Sequence, residues 1–177
     1  MLKKRIAIDM DDVMAFTAKK IVDRYESEFG LKITDQDLAG KLTEDAVPTA
    51  HRQLVLDWIW TPGFYRDIPV MPDAQRVVHE LNRNYEVFIV SAANLIPSSV
   101  PEKIDWLAQH FDFIDVRHTV FCGHKSIVNA DFMIDDHVKN LTAFDGEGIL
   151  FDAHHNVFET QFRRACGWRE VEKIFLN

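Results

Sequence analysis

The sequence predicts an α/β fold: a parallel sheet with helices on both faces, and a small helical insertion after the first strand. Three observations carry this. From Pro72 onward, short apolar runs alternate with amphipathic helical patterns, the signature of βα units. A first apolar run stands alone at residues 5–9. Between them, residues 14–70 hold helical patterns and no convincing strand.

The elements follow in order. Residues 5–9 read as a buried strand, Ile6-Ala7-Ile8 leading into Asp9. From Ala15 to about Phe29, Phe16, Ile21, Val22, Tyr25 and Phe29 recur at helical spacing, and Gly30 is a natural stop. Leu31 to Val47 is polar, with helix starts at Thr34-Asp35-Gln36-Asp37 and Thr43-Glu44-Asp45. A helix over 49–60 carries Leu54, Val55, Trp58 and Ile59 on one side and breaks at Thr61-Pro62-Gly63. Asp73 to Asn84 is a helix with Ala74, Val77, Val78 and Leu81 inward, and Glu86 to Val90 is a strand ending in Ser91. A helix over Pro101 to His110, a short strand over Thr119 to Cys122 and a strand over Asp131 to Ile134 come next. A short helix from Val138 to Phe144, a strand from Gly148 to Phe151 and a helix from Trp168 to Phe175 close the chain.

The 177 residues suit one domain with an insertion, and 47% hydrophobic content is ample for a core. The net charge of −8 argues against a nucleic-acid polymer or an anionic membrane as main partner. It leaves room for a small phosphorylated substrate, whose charge a metal and a few lysines can offset. The basic start, Met1 to Arg5, is followed by only Ile6 to Ile8 before aspartate, too little for a signal-peptide core. No run approaches membrane-spanning length, so a soluble cytoplasmic chain is expected. Cys122 and Cys166 lack metal-site spacing and suggest no disulfide framework. Nothing specifies an oligomeric state.

The chemistry concentrates at strand ends, where α/β sheets bind ligands. Asp9, Asp11 and Asp12 crowd the end of the first strand, and Asp135-Asp136 follow Phe132-Met133-Ile134. Like charges about 4 Å apart repel by about 4 kcal/mol at an effective dielectric of 20, so two such clusters call for a cation. Mg²⁺ prefers oxygen ligands from one or two carboxylates, waters and substrate phosphate. Ser91 and Lys125, at or after other strand ends, complete a set of four signals, with Lys103 as a competing lysine.

This order, strand-Asp-x-Asp, strand-Ser, Lys, strand-Asp-Asp, resembles the haloacid dehalogenase (HAD) superfamily from residue 5 to about residue 155. Within it, Asp9-Met10-Asp11, Pro62 to Arg66, Glu102-Lys103 before Trp106, His124-Lys125-Ser126 and Phe132 to Asp136 are similar to the 5′(3′)-deoxyribonucleotidases. So is Ile149-Leu150-Phe151 followed by His154-His155-Asn156. The resemblance implies a Rossmann-like, HAD-like core over residues 1–13 and 71–177, with a helical cap over 14–70. It implies Asp9 as a nucleophile that forms an aspartyl-phosphate, and Asp11 as the general acid and base. Ser91, Lys125 and Lys103 become phosphate contacts, while Asp9, the carbonyl of Asp11, and Asp135 or Asp136 become Mg²⁺ ligands. Asp12 departs from the glycine of many relatives, and Ala92 from a second hydroxyl. The His154-His155 pair is assigned no metal role.

A nucleophile at a sheet mouth needs screening from water, which the helical insertion would provide. Its aromatics suit a nucleobase, each stacked base gaining about 1–3 kcal/mol, with Phe16, Trp60 and Phe64 as the expected contacts. The expected function is a Mg²⁺-dependent phosphomonoesterase of nucleoside monophosphates. A phosphatase of sugar phosphates or other small esters is the alternative. A receiver-like signalling domain uses the same residue types, but it places its acidic pair early and its lysine last.

Overall fold

The computed structural model describes residues 3–176. One six-stranded sheet forms from β1 (Arg5–Ile8), β2 (Glu86–Ser91), β3 (Thr119–Phe121), β4 (Phe132–Asp135), β5 (Glu147–Phe151) and β6 (Arg163–Ala165). Their order is β3-β2-β1-β4-β5-β6, and every pair is parallel. The two central strands are therefore β1 and β4, and Ile8 of β1 pairs with Ile89 of β2 on one side and Ile134 of β4 on the other.

Alternation along β1 assigns its side chains to two faces. Ile6 and Ile8 join a large core with Ile89, Ile134 and Ile149. That face is covered by α4 (Ala74–Asn84), α5 (Ser99–His110) and α7 (Trp168–Phe175), through Val77, Leu81, Trp106 and Trp168. Ala7 faces the other way, into a smaller core with Val90, Met133 and Leu150. There the cover is α6 (Val138–Thr142) through Leu141, and Phe144 just after it.

The stretch after β1 is helical, as expected: α1 (Thr17–Phe29), α2 (Asp35–Leu38), a 3₁₀ turn at Thr43–Asp45 and α3 (Thr49–Trp60). The chain returns beside the point where it left. Phe16 N–H donates to the Pro69 carbonyl at 2.8 Å and Met71 N–H to the Met14 carbonyl at 2.7 Å. Two buried tryptophans pin these stems, Trp168 Nε1 donating to the Val13 carbonyl and Trp106 Nε1 to the Ile68 carbonyl. Among the described residues, no helix is long and apolar enough to cross a membrane.

Three local differences from the sequence reading have physical reasons. The fifth helix begins at Ser99 rather than Pro101, because the first-turn N–H groups have no helical partner and proline is tolerated there. Leu54 is exposed on α3 while Val55 and Trp58 are buried. Strand β6 was not foreseen: Arg163-Arg164-Ala165 has no apolar run, and as an edge strand only Ala165 needs burial.

Candidate active site

Strand order makes the gap between β1 and β4 a switch point, since the connections from these strands run to opposite sides of the sheet. At its carboxyl edge stand Asp9 and Asp11 after β1, Ser91 at the end of β2, Lys125 after β3, and Asp135 and Asp136 at the end of β4. Asp9, Ser91, Lys103, Lys125, Asp135 and Asp136 are all buried, although each is polar or charged. Burying so much charge is costly unless it is paired.

The pairing is specific. Lys125 Nζ lies 2.5 Å from Asp9 Oδ1 and 2.6 Å from Asp135 Oδ2, bridging the ends of β1 and β4. Burial alone would lower the Lys125 pKa, but Asp9 and Asp135 outweigh it and hold it above its usual value. Lys103, on the first turns of α5, makes an ion pair with Asp11 and donates to Ser91 Oγ at 3.1 Å. Its ammonium sits 4.8 Å from the centroid of the Tyr65 ring. Next to it, the buried Glu102 carboxylate accepts the N–H groups of Gly63 and Tyr65 at 2.5 and 3.0 Å. One dipeptide of α5 thus holds the general-acid candidate with one side chain and the returning loop with the other.

The two downstream aspartates differ in what their oxygens do. Asp135 is saturated: Oδ1 accepts His137 N–H at 2.8 Å and Asn140 Nδ2 at 2.9 Å, and Oδ2 accepts Lys125. Asp136 Oδ1 is buried without any partner. Burial, together with the charges of Asp9 and Asp135, pushes the Asp136 carboxyl well above its ordinary pKa. An orphaned carboxylate oxygen in a ring of carboxylates fits a bound cation. Carboxylate oxygens of Asp9, Asp135 and Asp136 lie within 4.8 Å of one another, an oxygen-only donor set suited to Mg²⁺. Both Asp135 oxygens are taken up by Lys125, Asn140 and the His137 N–H, whereas Asp9 gives Lys125 only Oδ1, which leaves Asp9 Oδ2 and Asp136 Oδ1 to face such an ion.

Asp12 has a left-handed backbone at φ 53°. Aspartate is one of the few residues with a side chain that tolerates this region. Its carboxylate also accepts the Ala18 N–H at 2.8 Å, capping α1, whose Phe16 offers no side-chain cap. Burial first, then Asp11 and Asp9, raise its pKa to about 7 despite that hydrogen bond.

Over these groups opens a cavity of about 370 Å³. Its floor includes Asp9, Asp11, Lys103, Lys125 and Asp136. Ser91 and Asp135 stand behind that floor, where they orient the two lysines. Ile21, Leu42, Ile59, Tyr65, Leu95 and Ile96 form an apolar wall. Thr43 Oγ1 meets His154 Nε2 at 3.2 Å, joining the inserted helices to the loop after β5 at the rim.

The three aromatic contacts expected from sequence are not brought to this cavity. Phe16 lines a separate groove with Lys19, Leu38 and Met71. Phe64 is buried, packed edge to face on Tyr65. Trp60 is 54% exposed and lines neither space. Adjacent residues of an irregular turn point in different directions, so periodicity cannot tell Phe64 from Tyr65. Sequence reasoning also passed over Asn140, His137 and the apolar wall. Leu42 and Ile59 carry no signal that separates a cavity wall from a core.

Comparison with known proteins gives a consistent result. The family model described as "5′ nucleotidase, deoxy (Pyrimidine), cytosolic type C protein" matches residues 3–177. A Bacillus subtilis (strain 168) protein named 5′(3′)-deoxyribonucleotidase is 36% identical over 181 residues, covering 99% of this chain and 100% of its own. A Staphylococcus epidermidis protein is 44% identical over 175 residues, covering 99% and 97%. Among solved structures, a haloacid dehalogenase-like family hydrolase from Streptococcus pneumoniae superposes with a TM-score of 0.62 at 12% identity, over 98% of each chain.

Proposed function

Because the chain belongs to this type C deoxynucleotidase family and is a phosphoric monoester hydrolase, we propose that it is a Mg²⁺-dependent phosphatase of nucleoside monophosphates. Deoxyribonucleoside 5′- or 3′-monophosphates are its first substrates in this reading, and an aspartyl-phosphate is its intermediate. The receiver-domain reading falls with the family match. The observation that carries the proposal is the double pairing of Asp9 with Lys125 and Asp11 with Lys103 on one cavity floor.

In this reading the Asp9 carboxylate attacks phosphorus and the ester oxygen leaves. Asp11, two residues on and beside Lys103, hands that oxygen a proton, then takes one from the water that opens the intermediate. Lys125 fixes the nucleophile and, with Lys103, meets the phosphoryl oxygens, while Ser91 holds Lys103 from behind. Mg²⁺, held by Asp9, the Asp11 carbonyl and Asp136, would supply the remaining positive charge to those oxygens. Asp135 positions Lys125 and the loop through Asn140 rather than binding the ion.

The apolar wall of Ile21, Leu42, Ile59, Tyr65, Leu95 and Ile96 takes the nucleoside, in place of Phe16, Trp60 and Phe64. Its size is within the usual range of small-ligand sites, roughly 300–1,000 Å³. Residues 14–70 act as the cap over a core of 1–13 and 71–177. The partner is a small phosphate ester, not a nucleic-acid polymer or a membrane, and the chain works in the cytoplasm. Phosphate release from a panel of nucleoside 5′- and 3′-monophosphates and sugar phosphates, with and without Mg²⁺, tests this. Turnover of dUMP or dTMP with Mg²⁺, abolished in Asp9→Asn, is expected. Turnover of sugar phosphates alone would remove the nucleoside assignment and keep the phosphatase.

A further inference from the structure

Asp136 has a second side that the phosphatase mechanism does not use. Its Oδ1 is the unpartnered oxygen of the carboxylate ring. Its Oδ2 looks the other way, 3.4 Å from His155 Nε2 and 4.0 Å from His137 Nε2. The two imidazoles stack with centroids 4.5 Å apart and planes 26° from parallel. One ligand atom from each of Asp136, His137 and His155 lies within 4.8 Å of the other two.

We propose that Asp136, His137 and His155 form a transition-metal site of the Zn²⁺ type, adjoining the oxygen-lined Mg²⁺ position and sharing Asp136 with it. The three ligand atoms lie close enough that, once the stacked imidazoles turn their in-plane lone pairs inward, one ion reaches all three at the roughly 2.0–2.2 Å of zinc–nitrogen and zinc–oxygen bonds. Two histidines and one carboxylate are a donor set for Zn²⁺, Co²⁺ or Fe²⁺, whereas Mg²⁺ favours oxygen. Three protein ligands leave further positions open, and both histidines line the cavity, so water or a ligand can complete the shell.

The ligands are also supported from behind. Asn156, 2% exposed, donates Nδ2 to the Asp136 carbonyl at 2.7 Å and to the Phe151 carbonyl at 2.8 Å. Its Oδ1 accepts from Arg164 at 2.7 Å. This fork ties the ends of β4, β5 and β6 together, setting Asp136 and the neighbouring His155 in register. Coordination through His155 Nε2 requires the tautomer with hydrogen on Nδ1. Its 3.1 Å contact with the Asp136 carbonyl is then exchanged for the ion.

A transition metal drawing on Oδ2 competes for a carboxylate that the Mg²⁺ site also needs. Occupancy should therefore raise the Mg²⁺ requirement of the enzyme. This coupling, though not the site itself, rests on the Mg²⁺ role proposed above for Asp136.

The untagged, metal-free chain is titrated with Co²⁺ followed by its visible spectrum, and with Zn²⁺ by calorimetry, in excess Mg²⁺. One equivalent bound with nitrogen-ligand bands is expected in the wild type and in Asp9→Asn, so the result does not depend on catalysis. His137→Ala and His155→Gln should each bind at least about ten-fold more weakly, and the double variant should lose the bands. Absence of stoichiometric binding in the wild type, or unaltered affinity in the double variant, would overturn the proposal. If the double variant does not fold, imidazole NMR of the wild type decides. Zn²⁺ must then shift His137 and His155, and shifts confined to other histidines count against the site.

Discussion

Substituting Asp12 by asparagine should stabilise the metal-free protein, and the gain should grow with pH. The Asp12 side chain is half-buried beside Asp9 and Asp11, and desolvation with those charges raises its pKa from 3.8 to about 7. A carboxyl whose folded pKa exceeds its unfolded one holds its proton in the folded state at pH values where the unfolded chain has lost it. Stability therefore falls as pH rises from about 4 to about 7, and the loss is complete above that. With each pKa unit worth 1.36 kcal/mol, a rise from 3.8 to about 7 on a half-buried carboxyl destabilises the fold by on the order of a few kcal/mol above neutral pH. Asparagine keeps an oxygen to accept the Ala18 N–H, tolerates the left-handed backbone at φ 53°, and carries no charge. Urea denaturation in EDTA at pH 4.5 and pH 8 measures the effect. The asparagine variant should gain on the wild type between the two values by an amount on the order of 2–4 kcal/mol. Added Mg²⁺, a cation among these carboxylates, should shrink the difference at pH 8. A gap that stays constant with pH, or a variant less stable throughout, would refute the assignment of a strained, desolvated carboxyl at this position.

Further predictions concern the cavity and its metal. Asp136→Asn should raise the Mg²⁺ concentration needed for half-maximal turnover by at least about ten-fold, with partial recovery of rate at high Mg²⁺. Asp135→Asn should instead lower the rate at all Mg²⁺ concentrations, because it releases Lys125 rather than the ion; Mg²⁺ titrations of both variants separate the two roles. Trp60→Ala should leave both KM and melting temperature nearly unchanged, since the side chain is exposed and away from the cavity. Phe64→Ala should cost about 3 kcal/mol or more in denaturant unfolding, as removal of a buried aromatic does.

Much of the fold was legible because its signals are local. Each interior strand is an apolar run bounded by polar turns, and the helices between them show their buried faces at helical spacing. That sufficed for a parallel sheet with carboxylates at its mouth. Strand β6 escaped because an edge strand can be built from two arginines and one alanine. The site was legible at the level of residue types and not of partners. Lys103 and Lys125 looked interchangeable in sequence, yet one belongs to Asp11 and Ser91 and the other to Asp9 and Asp135. Which neighbour a long side chain reaches depends on strand order, which no single motif carries. The same holds for Asp135 and Asp136, adjacent in sequence but opposite in direction, one saturated with hydrogen bonds and one left with an orphan oxygen. Asp12 is the reverse case. It departs from the glycine of many relatives, yet it adopts the left-handed backbone itself, at φ 53°.

The central claim is that Asp9 becomes phosphorylated. Its most direct test is to quench the enzyme during turnover of dUMP, reduce the protein with borohydride, and sequence the peptide spanning residues 5–19 by mass spectrometry. An acyl-phosphate on Asp9 is reduced to homoserine at that position, and this product should depend on substrate and vanish in Asp9→Asn. Homoserine at Asp11 instead, or steady turnover with no reduced aspartate at all, would contradict it.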